Sequence, residues 1–305
     1  PKEEESQFLS FFAKATPQRQ LFLHEVLTRN IKDNVSNIDD LEAVINWFSN
    51  SLKIIFPDTP YKQGVLLKAA GDHDLQRGFA ALLRYFDTGV DSVKLIDVQF
   101  DKLGIPQDLH RAIKTDLAKL KDDEAFGALR YDNNLFLINV INGDIKAKKL
   151  MTVHKRIDDE NIELFSLGDE SDGTKRLFDY IPLILDLVQG DKVFVVDEME
   201  RSLHPSLIQQ ILTIFYKYSE NTASQLIFTT HESSLMNLKI LRRDEIWLIS
   251  KIQDGVSTFG RMDDMYDVRF DKMLQHSYLN GEYSATPMFG SEEDIEKLFN
   301  KIKGN

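Results

Sequence analysis

The chain has 305 residues, of which 42% are hydrophobic, and its formal net charge is −12 at pH 7. This length suits one large or two ordinary domains, and the acid excess argues against a surface given over entirely to nucleic acid. The chain has no cysteine, which excludes disulfides and thiolate metal sites and fits the reducing cytoplasm. No apolar run approaches the roughly 18 residues that indicate a membrane span, so a cytoplasmic protein without membrane contact is expected.

The first 130 residues are predicted to be mostly helical, and one strand over residues 93–100 interrupts the helices. Three aromatic residues, Trp47, Phe48 and Phe56, are expected in the core rather than at a partner surface. Helices are predicted over residues 7–15, 18–29, 38–51, 72–86 and 107–120.

Residues 131–290 alternate between strand and helix patterns, which predicts an α/β lobe with a mainly parallel sheet and right-handed crossovers. Strands over residues 134–140 and 145–154 are joined by Asn142-Gly143, a hairpin signal. Further strands are predicted over 162–167, 193–196, 225–230 and 245–251, and helices from about Thr174 through the apolar stretch 177–188, then over 206–219 and 232–238. Residues 291–305 are predicted to form a charged tail with one short exposed helix.

The hairpin carries a group of basic residues that is a candidate DNA contact. Clusters of this size are more commonly solvated faces, so both interpretations stay open. The residues are Lys146, Lys148, Lys149, His154, Lys155 and Arg156.

The segment KVFVVDEMERSLHP, residues 192–205, has the pattern of a Walker B strand. Its β-branched and aromatic run suits a strand that is buried on both faces, and it places Asp197 and Glu198 at the carboxyl edge of the sheet, where ligands bind. In nucleotide hydrolases the first carboxylate holds Mg²⁺ and the second polarises the attacking water. Acidic residues also end strands that simply reach solvent, so the pair alone leaves both interpretations open.

A second segment, QLIFTTHE over residues 225–232, repeats this design with a short apolar strand that ends in two threonines and His231. A neighbouring parallel strand would bring His231 beside Asp197 and Glu198. There a neutral imidazole can hydrogen-bond a γ-phosphate or the attacking water. A lone histidine after a strand is more commonly a surface or core residue.

A third segment, GDESDGTKR over residues 168–176, lies between a strand and a helix. Ser171 and Gly173 would present a hydroxyl and backbone N–H groups at a helix N-terminus, which suits a phosphate. The segment nearly matches a P-loop, but Thr174 and Lys175 are in the wrong order and three acidic residues would repel a triphosphate. The P-loop interpretation is therefore rejected.

These motifs in this order resemble the ABC-type AAA15 ATP-binding proteins, which are similar to the heads of SMC, Rad50 and overcoming-lysogenization-defect ATPases. The resemblance covers roughly residues 135–290 and is specific in ESDGTKRLFDYIP, VFVVDEMERSLHP, QLIFTTHE, LRRDEIWLI and YLNGEYSATP. It implies that the chain is the C-terminal part of an ABC-type P-loop NTPase head, with ATP and Mg²⁺ as ligands and a helical insertion before the signature.

The resemblance also implies a role for each matching residue. Glu170, where many ABC proteins have leucine, and His204, where transporter-type loops have aspartate, depart from the common pattern. Asp197 would hold Mg²⁺, Glu198 would be the general base and His231 would be the switch histidine. The signature loop that closes on a partner's ATP would be formed by Ser171, Asp172, Gly173 and Lys175. The D-loop would include Arg201, Ser202 and His204.

The sequence contains no G-x-x-x-x-G-K-[ST] motif. The expectation is therefore that an N-terminal lobe carrying Walker A belongs to a longer protein, and that these 305 residues alone are inactive.

The implied mechanism is ATP-driven dimerisation, in which two heads, or more in a larger homo-oligomer, sandwich nucleotides. The implied role is a sensor or scaffold in anti-phage defence that controls a separately encoded effector, such as a Toprim-like nuclease, with DNA or a phage protein as the trigger. The alternatives are a Rad50/SMC-like DNA-repair ATPase, which the absence of sustained heptads disfavours, and a catalytically silent assembly module.

Overall fold

A computed structural model describes residues 3–28, 39–62, 64–67, 72–117, 126–141, 144–156, 161–251, 255–265, 274–283, 286 and 291–303. The chain divides into two compact units. Unit 1 comprises Pro1–Leu203 and Ile214–Thr229, and unit 2 comprises His204–Thr213 and Thr230–Asn305. The predicted domain boundaries near residues 130 and 290 stay a prediction.

Unit 1 begins with three short helices, α1 (Glu3–Ala15), α2 (Phe22–Thr28) and α3 (Asp39–Asn46). A π-helical turn, Trp47–Ser51, leads from α3 into strand β1, Leu52–Ile55. The helices lie where the sequence predicts them, but β1 was not predicted. Four apolar residues directly after a helix cannot be distinguished by periodicity from the end of that helix.

The prediction that the three aromatic residues near β1 lie in the core was wrong. Trp47, Phe48 and Phe56 are 42%, 51% and 59% exposed. They lie in the turns at the two ends of β1, and β1 is an edge strand of its sheet. Aromatic residues are buried only where other elements cover the segment that carries them, and β1 lies at the edge of its sheet.

A five-stranded antiparallel sheet follows. Helix α4 (His73–Tyr85) is capped by the Asp72 carboxylate, which accepts the N–H groups of Asp74 and Leu75, and helix α5 (Gln107–Leu117) lies between the first two strands in sequence. The strands are β2 (Ser92–Val98), β3 (Phe126–Tyr131), β4 (Asn134–Ile141), β5 (Asp144–Lys155) and β6 (Ile162–Ser166).

Strand β5 is the centre of this sheet, since it pairs with β2, β4 and β6. The β4–β5 pairing, with Ile141 opposite Asp144, confirms the predicted hairpin. Its Asn142-Gly143 turn lies outside the described residues. The sheet has cores on both faces. Leu135 and Leu150 pack with residues of α4 and of the signature helix, α6 (Asp172–Gln189), and Phe136 and Ala147 pack with residues of α5.

A three-stranded parallel sheet carries the Walker B segment. Its order is β1, β7 (Val193–Val196), β8 (Gln225–Phe228), and helix α6 (Asp172–Gln189) precedes β7 in the chain. The predicted mixed α/β fold class, with Walker B on a parallel strand, is confirmed. One face of the sheet is buried around Phe194 and Val196, both 0% exposed.

The other face of the parallel sheet carries an apolar row. Ile54, Val195 and Ile227 align across β1, β7 and β8. Ile54 is 52% exposed and Ile227 is 54% exposed. This row is therefore open over the described residues, although parallel sheets are usually covered on both faces.

Unit 2 has its own small core, formed by Ile246, Leu248, Met262, Leu274 and Tyr283. The predicted strand over 245–251 is β9 (Trp247–Lys251), but the predicted helix over 232–238 is only a 3₁₀ turn, Ser233–Leu235. The remaining elements are α7 (Pro205–Tyr218), which starts in unit 2, a 3₁₀ turn (Arg243–Glu245), β10 (Ser257–Arg261), α8 (Met262–Met265), α9 (Leu274–Leu279) and α10 (Glu292–Lys303). Among the described residues, no helix has the length and apolar character needed to cross a membrane.

Candidate nucleotide site

The two Walker B carboxylates lie directly after the central strand of the parallel sheet. The Asp197 N–H donates to the carbonyl of Ile55 at 2.9 Å, which extends the β1–β7 pairing by one residue. Glu198 then takes a left-handed backbone conformation with φ of +46°. This conformation is unfavourable for a residue with a side chain, and it is held here because the surrounding hydrogen bonds fix the turn.

Thr229 provides those hydrogen bonds, and the sequence interpretation gave it no role. Its hydroxyl donates to Asp197 Oδ1 at 2.6 Å and accepts the N–H of Glu198 at 2.9 Å. Its backbone N–H donates to the Val196 carbonyl at 3.0 Å, and its carbonyl accepts the N–H of Met199 at 3.1 Å. The only signal in the sequence was the pair of threonines at the end of β8, and hydroxyl residues are common at strand ends.

Asp197 suits a Mg²⁺ ion that is shared with a nucleotide. No group of three or more histidine, aspartate or glutamate residues able to hold a metal occurs within the part of the chain that the structure describes. Protein sites for Mg²⁺ on nucleotides commonly use one or two carboxylates and take the remaining ligands from phosphates and water. A single carboxylate at this sheet edge is therefore a donor that fits a metal–nucleotide complex.

The signature loop leads into the long helix α6. Ser171 is the N-cap, and its Oγ accepts the N–H of Thr174 at 3.1 Å. The helix starts at Asp172, two residues before the predicted start, because the serine cap extends it. Lys175 Nζ lies 2.9 Å from Asp172 Oδ1, so the lysine offsets one of the acidic charges at this helix end.

Gly173 is packed against the D-loop of the same chain. A Cβ atom at this position would lie 3.0 Å from the carbonyl oxygen of Ser202. Ser202 itself has a left-handed backbone, with φ of +64°. Glycine at 173 therefore permits a close approach between the signature loop and the D-loop that another residue would disturb.

The unusual Glu170 points inward instead of toward a ligand. Its side chain is 8% exposed, and Oε1 lies 2.7 Å from His154 Nε2 on strand β5. The same oxygen accepts a hydrogen bond from the Thr152 hydroxyl. These contacts tie the signature loop to the antiparallel sheet, which gives a structural reason for a glutamate where many ABC proteins have leucine.

The remaining D-loop residues are divided between the two units. Arg201 pairs with Asp58 at 3.2 Å in unit 1. His204, in unit 2, accepts the N–H of Ser206 through Nδ1 at 3.2 Å and so stabilises the start of α7. The exposed His231 also belongs to unit 2, and its expected closeness to Asp197 and Glu198 stays a prediction.

A buried polar network lies behind the Walker B turn. The Tyr180 hydroxyl of α6 donates to the Met199 carbonyl at 3.1 Å, and the Arg176 guanidinium carbon lies 4.7 Å from the Tyr180 ring centroid. Burial raises the pKa of Tyr180. Burial also raises the pKa of Asp179, against the opposing effect of Arg130 and Arg176. The network connects the signature helix to the residue that follows Glu198.

The basic residues on the hairpin are paired on the protein's own surface. Lys155 lies 3.1 Å from Asp91, and Lys149 donates to the Ser166 hydroxyl at 2.7 Å. The acidic partners of Lys146, Lys148, Lys155 and Arg156 offset those charges, which weakens the case for a DNA contact at the hairpin. The other four pairs are Lys146 with Asp144, Lys148 with Asp97, His154 with Glu170 and Arg156 with Glu163.

An α/β fold with adjacent carboxylates at the carboxyl edge of a parallel sheet, next to a strand that ends in hydroxyl residues, is consistent with a P-loop NTPase-like AAA domain. Residues 72–237 match the family described as "AAA domain, putative AbiEii toxin, Type IV TA system". The match covers more than half of the chain, and the chain belongs to this family. It therefore carries an AAA-type ATPase domain. No curated protein matches the sequence.

Proposed function

We propose that this chain is the signature and Walker B part of an ATPase that hydrolyses ATP between two heads. The observation that supports this most directly is the Walker B turn, where Thr229 fixes both Asp197 and the strained Glu198 backbone. A strand that simply ended in solvent would not require a carboxylate fixed by a hydrogen bond or a glutamate with a left-handed backbone.

Each residue has a role that suits its position. Asp197 would be the carboxylate ligand of Mg²⁺, and Glu198 would orient the attacking water and accept its proton. When bound, Mg²⁺ would neutralise phosphate charge. Ser171, Asp172, Gly173 and Lys175 form a capped helix N-terminus that is suited to phosphate groups of a nucleotide held by a second head.

The phosphate-binding P-loop is proposed to come from a segment beyond these 305 residues, since the sequence has none. The open row of Ile54, Val195 and Ile227 supports this proposal, because a parallel sheet in a nucleotide hydrolase is covered on both faces. A segment that brings the P-loop to this sheet would cover that row.

The role we propose is that of a cytoplasmic sensor ATPase in a bacterial defence or toxin–antitoxin system, acting on a separately encoded effector. The family description refers to a toxin system, which supports this setting. In such a switch, contacts with the γ-phosphate hold the protein in one conformation, and hydrolysis removes those contacts.

The test is ATP turnover in the presence of Mg²⁺ by the complete ATPase, compared with its Glu198→Gln variant. We expect Glu198→Gln to abolish turnover and to accumulate an ATP-bound dimer, because the substituted side chain keeps its size but cannot accept a proton. Turnover equal to the unsubstituted protein would remove Glu198 from the role of base. Glu220→Gln, the same change at an exposed glutamate outside the proposed machinery, is the matched control and should leave turnover unchanged.

A further inference from the structure

Helix α10 is an amphipathic helix with an uncovered apolar stripe. It has 12 residues, Glu292–Lys303, none of them buried among the described residues. The stripe follows the i, i+3, i+4, i+7 spacing of a single helix face. Its members are Ile295 (54% exposed), Leu298 (51%), Phe299 (54%) and Ile302 (61%).

Such a helix needs a partner to be stable. An isolated helix shorter than about 12–15 residues is marginal in water, and most helical stability in proteins comes from packing of the apolar face. The stripe of α10 therefore indicates a docking surface, and the charges beside it indicate which partner it fits.

The charges on α10 run from acidic to basic along the helix. Its first turn contains Glu292, Glu293 and Asp294, and its last turn contains Lys301 and Lys303. At about 100° per residue, Asp294 and Lys301 flank one side of the stripe, and Glu292, Glu296 and Lys303 flank the other.

This arrangement is self-complementary for two antiparallel helices. In an antiparallel pair the same side of each helix meets, as in antiparallel coiled coils. When the stripes overlap fully, Asp294 lies beside Lys301 of the second copy and Glu296 lies beside Lys303 of the second copy. A parallel pair would instead place acid beside acid and lysine beside lysine, which is unfavourable.

We propose that α10 docks onto α10 of a second copy of this chain, in an antiparallel and two-fold symmetric arrangement. The mixed charge of the helix does not favour anionic partners such as nucleic acid or a lipid surface, which select helices with a uniformly basic face. A two-fold pair also satisfies the rule that identical surfaces associate with closed symmetry.

The contact between the two α10 helices is small. Two stripes of four side chains bury much less than the roughly 1,000 Å² of a stable interface, so the pair is weak on its own. It needs no nucleotide, and it raises the effective concentration of one ATPase head near another. This self-association is additional to the proposed ATP-dependent contact between the heads and does not depend on it.

The test is sedimentation equilibrium of the 305-residue chain without nucleotide, over a series of concentrations. The unsubstituted chain should show a weak dimer. Glu296→Lys and Lys303→Glu should each weaken it by about tenfold, because each turns two attractive contacts into repulsive ones. An equimolar mixture of the two variants should recover the dimer, since both contacts between positions 296 and 303 across the pair are again of opposite charge.

Glu293→Lys is the matched control, because it makes the same change on the face opposite the stripe and should leave the dimer unchanged. Leu298→Asp should abolish the dimer. The proposal is overturned if the chain stays monomeric at every concentration, if Glu293→Lys weakens the dimer as much as Glu296→Lys, or if the mixture fails to recover it. Sedimentation of the monomeric chain with anionic phospholipid vesicles would also overturn it, in favour of a membrane contact.

Discussion

At the scale of single residues, the candidate site depends on side chains that hold the backbone of the Walker B turn. Thr229 is the main example, since its one hydroxyl contacts both the carboxylate of Asp197 and the backbone of Glu198. A hydroxyl in this position limits the rotation of the Asp197 carboxylate. It also fixes the backbone turn at Glu198 from which the glutamate side chain extends. The residue is a positioning residue, because its own atoms have no proposed contact with substrate.

We expect Thr229→Val to lower the ATP turnover of the complete ATPase by about tenfold, because one hydrogen bond to a charged group contributes about 1.5 kcal/mol. Valine keeps the shape of threonine, so the fold should be retained. Thr229→Ser keeps the hydroxyl and should retain most of the turnover. Steady-state kinetics of the two variants check this, and equal turnover in Thr229→Val and the unsubstituted protein would contradict the role.

Substitution of Gly173 should change the free energy of unfolding, and a control substitution at Gly78 should change it in the opposite direction. Gly173→Ala should lower the free energy of unfolding by about 1 kcal/mol, because the new Cβ would lie 3.0 Å from the Ser202 carbonyl and force the D-loop to move. Gly78→Ala, in the exposed interior of α4, meets nothing within 4 Å. It should raise the free energy of unfolding by about 0.5–1 kcal/mol through helix propensity alone.

Urea denaturation of the 305-residue chain measures both changes. The contact between the signature loop and the D-loop would be shown to be unimportant if Gly173→Ala were as stabilising as Gly78→Ala.

At the scale of elements, the sequence predicted several elements whose pattern is local, although it missed β3, which pairs with β4 across a two-residue turn. The Walker B strand is recognisable because four apolar residues precede two carboxylates, and the β4–β5 hairpin because two alternating strands flank Asn-Gly. Strand β1 was missed because its pairing with β7 is made by residues about 140 positions apart. Thr229 was missed for the same reason, since its partners are 31 and 32 residues away.

The position of Glu170 shows the same limit for single side chains. Its charge predicts exposure, but the structure buries it against Thr152 and His154. No local pattern indicates which strand will lie beside the signature loop. Local motifs therefore predicted which residues form the candidate site, and only the fold shows which contacts hold those residues in place.

The buried contact between α6 and the Walker B turn gives a prediction with a pH dependence. Tyr180→Phe should lower the free energy of unfolding near neutral pH by about 1–2 kcal/mol, because the Met199 carbonyl and Arg176 lose a buried partner. Tyr218→Phe is the control. Tyr218 is 58% exposed, so its substitution should have almost no effect.

Burial raises the pKa of Tyr180 above its ordinary value, so the folded state holds this proton more tightly than the unfolded state does. The stabilisation is complete below about pH 10, the ordinary tyrosine pKa, and is lost as the pH rises further. The stability difference between the unsubstituted chain and Tyr180→Phe should therefore shrink as the pH rises above about pH 10. A difference that grew over this range would contradict the assignment.

At the scale of the whole molecule, two of the exposed apolar regions on the described surface are of different kinds. The stripe on α10 is short, is flanked by charges and is self-complementary. The row formed by Ile54, Val195 and Ile227 lies on a parallel sheet and is about half exposed at Ile54 and Ile227. A helix stripe of the first kind suits reversible association, whereas an open sheet face suits permanent coverage by further protein.

The open sheet face should respond differently to substitution in two contexts. In the 305-residue chain, Ile54→Lys combined with Ile227→Lys should change the free energy of unfolding by less than about 1 kcal/mol, because both side chains are already half exposed. The same chain should bind less of the dye ANS, since the apolar row is interrupted. Val44→Lys, at a similarly exposed position in α3, should leave dye binding unchanged.

In the complete ATPase, where we propose that a P-loop-bearing segment covers this face, the double substitution should lower the free energy of unfolding by at least about 2 kcal/mol. The loss of apolar burial and the cost of placing two lysines against the covering segment both act in that direction. Denaturant unfolding of both forms provides the comparison. If the double substitution were as mild in the complete ATPase as in the 305-residue chain, the row would remain exposed there, and the P-loop segment would have to approach the site from another side.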